Sequence, residues 1–267
     1  MIFAFRERDA DAAATRHPHH PAVIRLQVLG TLRVDGTDPG VAEDLLAQPK
    51  ALALLIYLAL ARPRGLQQRD RLVGLFWPEL DQERARTALR GTLHRLRQLL
   101  GEDTIQNRGT EAVALAPDRV ACDALAFTDA LAGDRLRAAV NLYQGELLPS
   151  FFLPGSDEFE RWLEAERAYY ADRFIRCAWQ LVEQYEQDSE ATNATQLARV
   201  VARIASTDER MVRRVMTKLY ELHDRAGAID VYTRFATRLR KELNVEPSVE
   251  TTRLAERIRS GDLSYER

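Results

Sequence analysis

The side chains best suited to binding chemistry lie on one segment, Asp81–Leu100, which reads DQERARTALRGTLHRLRQLL. At 100° per residue, Arg84, Thr87, Arg90, Gly91, His94, Arg95 and Gln98 fall on one side of a helix. Guanidinium, hydroxyl, imidazole and carboxamide groups bond phosphate oxygens and base edges, and from Arg84 to Gln98 no carboxylate interrupts them. Leu89, Leu93, Leu96 and Leu100 recur at helical spacing on the opposite side as an apolar stripe. Asp81 suits the N-cap, and Gln82 and Glu83 suit the first turn. Charge on a helix face ordinarily marks nothing more than solvation. The segments on either side shift the balance toward binding. Arg86 and Arg97 lie nearer the apolar edge, where an ion pair or a snorkelling stem competes with a contact to DNA.

Chemistry of other kinds has little to work with. Three of the five histidines, His17, His19 and His20, sit together near the N-terminus, and His223 has no cysteine or histidine at metal-ligand spacing. No serine stands in a Gly-x-Ser-x-Gly elbow, and no paired carboxylates are flanked by loop glycines. The expectation is a protein that is not an enzyme and holds no metal or other cofactor. Cys122 and Cys177 are too few and too far apart for a disulfide framework, which points to a reducing compartment. The longest apolar run, Ala51–Ala61, is the length of a buried helix and too short for a membrane span. The N-terminus lacks the order of a signal peptide. These features imply a cytoplasmic protein with no membrane partner.

Residues 1–21 read as a disordered tail. Ile24–Val34 alternates as a strand, or as two short ones about Gly30, and Asp35-Gly36 and Asp38-Pro39-Gly40 read as turns. Pro49 opens an almost wholly apolar helix, Lys50–Ala61, and a shorter helix spans about Gln68–Phe76. Trp77-Pro78 ends it, and the two-faced helix follows until Gly101. Three extended runs come next, Thr104–Asn107, Ala112–Leu115 and Val120–Cys122, with a tight turn at Asn107-Arg108-Gly109-Thr110. The order of strand, three helices and β-hairpin predicts a winged helix-turn-helix whose last helix would lie in the major groove. Arg108, at the wing tip, would reach an adjacent minor groove, whose narrow A·T tracts attract cations. Lys50 and Arg69 start helices, where backbone N–H groups also bind phosphate, and are candidate phosphate clamps. Trp77 is expected to pack beneath the helix-turn-helix.

From Asp123 the pattern is helical throughout. Helices are expected at Asp123–Leu131, Asp134–Tyr143, Asp157 to about Gln187, Thr195–Ala205, Asp208–Arg225 and Ala228–Leu243. Pro247-Ser248 opens a last helix that ends near Gly261, and Ser206 with Glu209 fits a capping box. Leu181–Ser206 and Leu219–Pro247 share one layout, the signature of stacked helical hairpins that leave a groove. Trp162, Tyr169, Tyr170 and Trp179 are expected in the core of those repeats. Charge is spread unevenly. Residues 22–122 carry 14 Lys+Arg against 12 Asp+Glu, and residues from 123 on carry 21 against 25. A weakly basic half before an acidic one fits nucleic-acid contact at one end.

Taken together, KALALLIYLALARPRGLQQRDRLVGLFWPE, ARTALRGTLHRLRQLLG and DRVACDALAF resemble an OmpR-type winged helix. LYQGELLPSF, ERWLEAER and LRKELNVEPSVETTRLAERIRSG are similar to the bacterial transcriptional activation domain that follows it in the antibiotic regulatory protein (SARP) activators. The resemblance covers roughly residues 22–262. It implies a mainly α protein, with a winged-helix DNA-binding domain at 22–122, a tetratricopeptide-like activation domain at 123–262, and a tail at 263–267. It also implies an activator that reads promoter direct repeats in double-stranded DNA, with self-association on DNA and RNA polymerase with its sigma subunit as a partner. By the same analogy, the loop Trp77–Gln82 is a polymerase-contact surface. Two departures stand out. Gln68 replaces the usual Ser or Thr cap, and Gly91 interrupts the recognition helix at a cost of about 1 kcal/mol. Either close approach of the DNA backbone or tolerated drift accounts for that glycine. Many relatives continue into an ATPase module; this chain has no Gly-x-x-x-x-Gly-Lys-Ser/Thr loop, and no nucleotide switch is expected. The competing reading is an interaction adaptor whose winged helix packs on protein, in which case the Arg-rich face should show apolar or mixed-sign residues.

Overall fold

A computed structural model describes residues 23–205 and 208–262. The expected tails, with His17, His19 and His20, and the capping Ser206 lie outside the described residues. Internal contacts divide the chain into two compact units, one of residues up to Gly133 with Asn141–Tyr170, the other of Asp134–Val140 with the chain from Ala171 on.

In the first unit the alternation at the start becomes β1 (Ile24–Gln27), which buries Ile24 and Leu26, and β2 (Arg33–Asp35). They pair antiparallel with Leu26 opposite Val34. Gly30, between them, has a φ of +93°, and a Cβ there would stand 2.7 Å from the Gln144 carbonyl carbon, so both backbone shape and space require glycine. Asp38-Pro39-Gly40 does not make the expected turn; it opens α1 (Pro39–Leu46). The Asp38 carboxylate accepts from the Gly40 N–H at 2.9 Å, and proline occupies the first turn. A short polar residue before Pro-Gly serves a turn and a helix start through the same hydrogen bond, which is why local reading confused them.

Helix α2 (Pro49–Leu60) buries every residue from Ala51 to Leu60. A helix with no polar face has no side to give to water and takes the centre of the unit. After β3 (Gln67–Gln68) come α3 (Arg69–Phe76) and α4 (Gln82–Leu100), the helix-turn-helix pair. The hairpin of β4 (Ile105–Arg108) and β5 (Ala112–Leu115) adds β3 to form an antiparallel sheet in the order β3-β5-β4. Two residues are too few to show alternation, so β3 was invisible in the sequence. Then β6 (Val120–Cys122) returns to pair parallel with β1. Asp123 opens α5 (Asp123–Ala132), and its carboxylate accepts N–H bonds from Val28 and Leu29 at 3.0 Å and Ala124 at 2.7 Å, joining the two ends of the winged helix.

The second unit is helical. It contains most of α6 (Leu136–Leu142), the later part of α7 (Asp157–Gln187), α8 (Ala191–Ile204), α9 (Glu209–Glu221), α10 (Arg225–Arg238) with a π-helical turn at Leu239–Leu243, and α11 (Val249–Ser260). Successive helices from α8 onward pack on one another, as the repeat pattern implies. Asp208 caps α9, and Asp224 caps α10 by accepting from the Gly227 N–H at 2.9 Å. The helix expected to run to Arg225 stops at Glu221, because Leu222 and the left-handed His223 (φ +61°) turn the chain into the next cap.

One expectation about the core is overturned. Trp162 and Tyr170 belong to the first unit rather than to the repeats. Trp162 packs on Tyr57 with ring centroids 4.7 Å apart and on Phe159 at 5.4 Å, and Tyr170 stands 6.0 Å from Phe127. Tyr169, in the same unit, lies 3.7 Å below the Arg62 guanidinium. Of the four aromatics, Trp179 alone is buried in the helical unit. The long helix α7 shows one continuous stripe, and its period carries no mark of where its packing partner changes. Among the described residues, no helix is long and apolar enough to cross a membrane, and no group of three potential ligands could hold a metal ion.

Candidate nucleic-acid interface

Helix α4 is fixed at both ends and along one side. The Asp81 side chain accepts from the Arg84 N–H at 2.9 Å, and Thr104 Oγ1 donates to the Leu100 carbonyl at 2.7 Å. Ala85, Leu89, Leu93, Leu96 and Leu100 are buried, as the apolar stripe requires. Burying a leucine stabilises by about 1.5–3 kcal/mol, so the rotation of the helix is not free to change. The opposite face is thereby committed to solvent. Arg84, Thr87, Arg90, Gly91, His94, Arg95 and Gln98 are all exposed.

The face is not wholly free of acids once the chain is folded. Arg95 pairs with Asp44 of α1 at 3.2 Å, Arg84 with the capping Asp81 at 3.3 Å, and Arg86 with Asp70 of α3 at 2.9 Å. All six partners are well exposed, and such pairs contribute at most about 1 kcal/mol each. A phosphate therefore competes with them readily. Thr87, Arg90, His94 and Gln98 have no side-chain hydrogen bond or ion pair among the described residues.

The base of the wing carries a different arrangement. Asn107 of β4 accepts from Arg69 at 3.0 Å and from Arg97 at 2.7 Å through one carboxamide oxygen. Arg97 also donates to the Ile105 carbonyl at 3.0 Å, and the Arg69 N–H donates to the Glu111 carbonyl at 2.8 Å. Two guanidinium groups thus meet at a neutral acceptor. Burial, and after it the charges of Arg97 and Arg90, hold the Arg69 pKa below its ordinary value, while Arg69 Nε is buried without a hydrogen-bond partner. Like charges assembled without a counter-charge favour an incoming anion. Arg69, Arg90 and Arg97 are brought together here. Asn107 was missed by sequence reasoning, which saw in it only a turn residue.

The remaining candidates lie elsewhere. Arg108 is exposed where β4 ends, next to Gly109 at the hairpin turn. Lys50 faces the α3–α4 connection, with Nζ 3.4 Å from Glu79 and 5.4 Å from the centre of the Trp77 ring. Trp77 itself is buried beneath the helix pair, as expected. Burial raises the thiol of Cys122 to about 12 and that of Cys177 to about 11, so both stay protonated at neutral pH.

The family model described as the bacterial transcriptional activator domain matches residues 114–259. The regulatory protein AfsR of Streptomyces griseus is 28% identical over 266 residues, a match that covers 92% of this chain and 26% of AfsR. The chain therefore spans about a quarter of the length of that curated relative. Among solved structures, Mycobacterium tuberculosis EmbR in complex with a low affinity phosphopeptide superposes with a TM-score of 0.57 over 91% of this chain and 67% of EmbR. Its identity is 20%, so this likeness speaks for the fold. The fold is a winged helix followed by a helical domain of the activator type.

Proposed function

The chain belongs to the bacterial transcriptional activator domain family, and from that premise we propose that it is a sequence-specific DNA-binding regulator that activates transcription. The winged helix of residues 22–122 binds double-stranded DNA, and residues 123–262 contact the transcription machinery. The observation that carries the reading is the outward face of α4, with its exposed Arg90, Thr87, His94 and Gln98, beside the guanidinium pair at Asn107. Arg90 and Arg95 are the readers of base edges or flanking phosphates; Arg84, Thr87, His94 and Gln98 extend the contact. Arg69 and Arg97 grip a backbone phosphate, Arg108 enters the neighbouring minor groove, and Gly91 faces the duplex. Lys50 acts through the α3–α4 connection, beside the surface assigned to RNA polymerase with its sigma subunit. Two copies would occupy direct repeats side by side. No cofactor and no catalysis enter this account, and the protein works in the cytoplasm.

A promoter-fragment titration tests it. Arg90→Ala with Arg95→Ala is expected to weaken binding by about thirtyfold or more, at about 1–3 kcal/mol per specific contact. The logarithm of affinity should fall with the logarithm of salt with a slope near −0.9 per phosphate neutralised. One observation favours a second reading, in which the winged helix docks on protein: the pairs of Arg84, Arg86 and Arg95 with aspartates make the surface mixed in sign. A complex with DNA that ignored salt, or a double variant that bound as tightly as the parent, would favour that adaptor.

A further inference from the structure

The helical unit contains a cleft of about 380 Å³ lined from α8, α9 and α10. Its floor is buried and apolar, made by Val212, Val231 and Phe235. Its rim is exposed and basic, made by Arg199 and Arg203 of α8 and Arg234 and Arg238 of α10, against one carboxylate, Asp230. The chain from residue 123 on carries more acid than base, 25 to 21, so this basic strip runs against the charge of its own half.

The four arginines are not equivalent. Arg199 is committed to Asp224, the cap of α10, at 2.9 Å, and that carboxylate is only 16% exposed. Arg234 and Arg238 pair with Asp230 and Glu242, each one turn along and each exposed, the weakest class of ion pair. Arg203 makes no ion pair among the described residues. Planar guanidinium groups at helical spacing above an apolar floor match carboxylates interleaved with apolar side chains, because each carboxylate takes a bidentate partner and each apolar group leaves water. A phosphate backbone would satisfy the rim and leave the floor with nothing to bury.

We propose that this cleft docks a short acidic segment of a partner protein, with its carboxylates on Arg203 and Arg234 and an apolar side chain over Val231 and Phe235. The proposal deepens the partner-binding half of the reading above and stands apart from its DNA-binding half. The test is fluorescence anisotropy on the whole chain, with a labelled synthetic peptide in which Asp and Glu alternate with Leu and Phe. The parent should bind it, and Arg203→Glu with Arg234→Glu should weaken binding by about tenfold or more. A peptide with Asn and Gln in place of the acids should bind weakly and without regard to the substitutions. If circular dichroism shows the reversed variant unfolded, Arg203→Gln with Arg234→Gln should give a smaller loss in the same direction. Labelled duplex DNA, titrated in parallel, should bind both variants as it binds the parent. No binding of the acidic peptide, equal binding of the neutral one, or an affinity indifferent to both variants would overturn the proposal. So would a matching loss of DNA affinity, which would make the cleft a nucleic-acid surface. Failure of the parent to bind DNA bears on α4 alone and leaves the peptide result intact.

Discussion

Gly91 has no internal reason to be glycine. A Cβ at that position would meet nothing within 4 Å, and the residue is exposed in the middle of a long helix. Gly91→Ala should therefore raise stability by about 0.5–1 kcal/mol, measured by urea unfolding. A parallel loss of promoter affinity would assign the glycine to close approach of the backbone, and unchanged affinity would assign it to drift. Asn107 is the opposite case, a residue whose identity matters because of what surrounds it. An aspartate there would supply the missing counter-charge to Arg69 and Arg97. Asn107→Asp is expected to leave the fold at least as stable and to weaken DNA binding, with the salt slope shallower by about one phosphate's worth. Equal slopes in the two proteins would remove that pair from the interface. The cost of Gly91 was legible from its residue type, whereas the expectation for Asn107 was not. The outward placement of Arg90 followed from helical period, whereas the meeting of Arg69, Arg97 and Asn107 joins positions up to 38 residues apart.

Among the elements, α4 was almost fully legible. Asp81, the leucine spacing and Gly101 fixed its start, its rotation and its stop. The capping of α11 is a tertiary matter. Ser248 caps it locally, yet the Ser248 N–H donates to Glu209 of α9 at 2.7 Å. Burial pushes the Glu209 carboxyl up, but hydrogen bonds with Ser248 and Thr251 and the charge of Arg213 outweigh it and hold the pKa below its ordinary value of 4.5. A carboxyl depressed in this way stabilises the fold above that ordinary value, and the contribution disappears as pH falls through the lower folded value. Glu209→Gln should cost about 1 kcal/mol at neutral pH and nothing at pH values below the folded one, followed by thermal unfolding across that range. A cost that persisted in strong acid would show that the charge is irrelevant. The run read as one helix from Ala228 to Leu243 also illustrates a limit, since it carried no signal for the π-helical turn at Leu239–Leu243, which the left-handed Asn244 terminates.

At the scale of the molecule, the first unit contains an ion pair that its interior only half shelters. Glu166 of α7 is buried, and its partner Arg62, 2.6 Å away, is 44% exposed and stacks over Tyr169. Burial pushes the Glu166 carboxyl up, and Arg62 works against that. Arg62→Ala should destabilise this unit by about 2 kcal/mol at neutral pH, less than the ~3–5 kcal/mol of a fully enclosed pair because water already reaches the arginine. The sign with pH is opposite to that of Glu209. Since the folded pKa is raised, the neutral acid is favoured in the fold and stability falls as the carboxyl ionises with rising pH; the variant's deficit exists only with the ionised carboxylate, so it vanishes as pH falls below the parent's folded value. Fluorescence of Trp77 and Trp162, which both belong to this unit, reports it. A deficit that grew on acidification would contradict the assignment.

The amino-acid order alone determined the strands other than β3, the apolar central helix, the two-faced helix, the hairpin and the helical second half. Each rests on interactions within a few residues: periodic burial, a cap, a turn, a proline. Only the tertiary structure decided which counter-charges stand beside the outward arginines, since Asp44 lies in a helix that local signals presented as a turn and 51 residues before Arg95. It also decided that Trp162 and Tyr170 serve the first unit. An apolar stripe records that a face must be buried, because that is a property of the helix itself. What buries it depends on the path of the rest of the chain, and contacts made across long loops leave no period in the sequence.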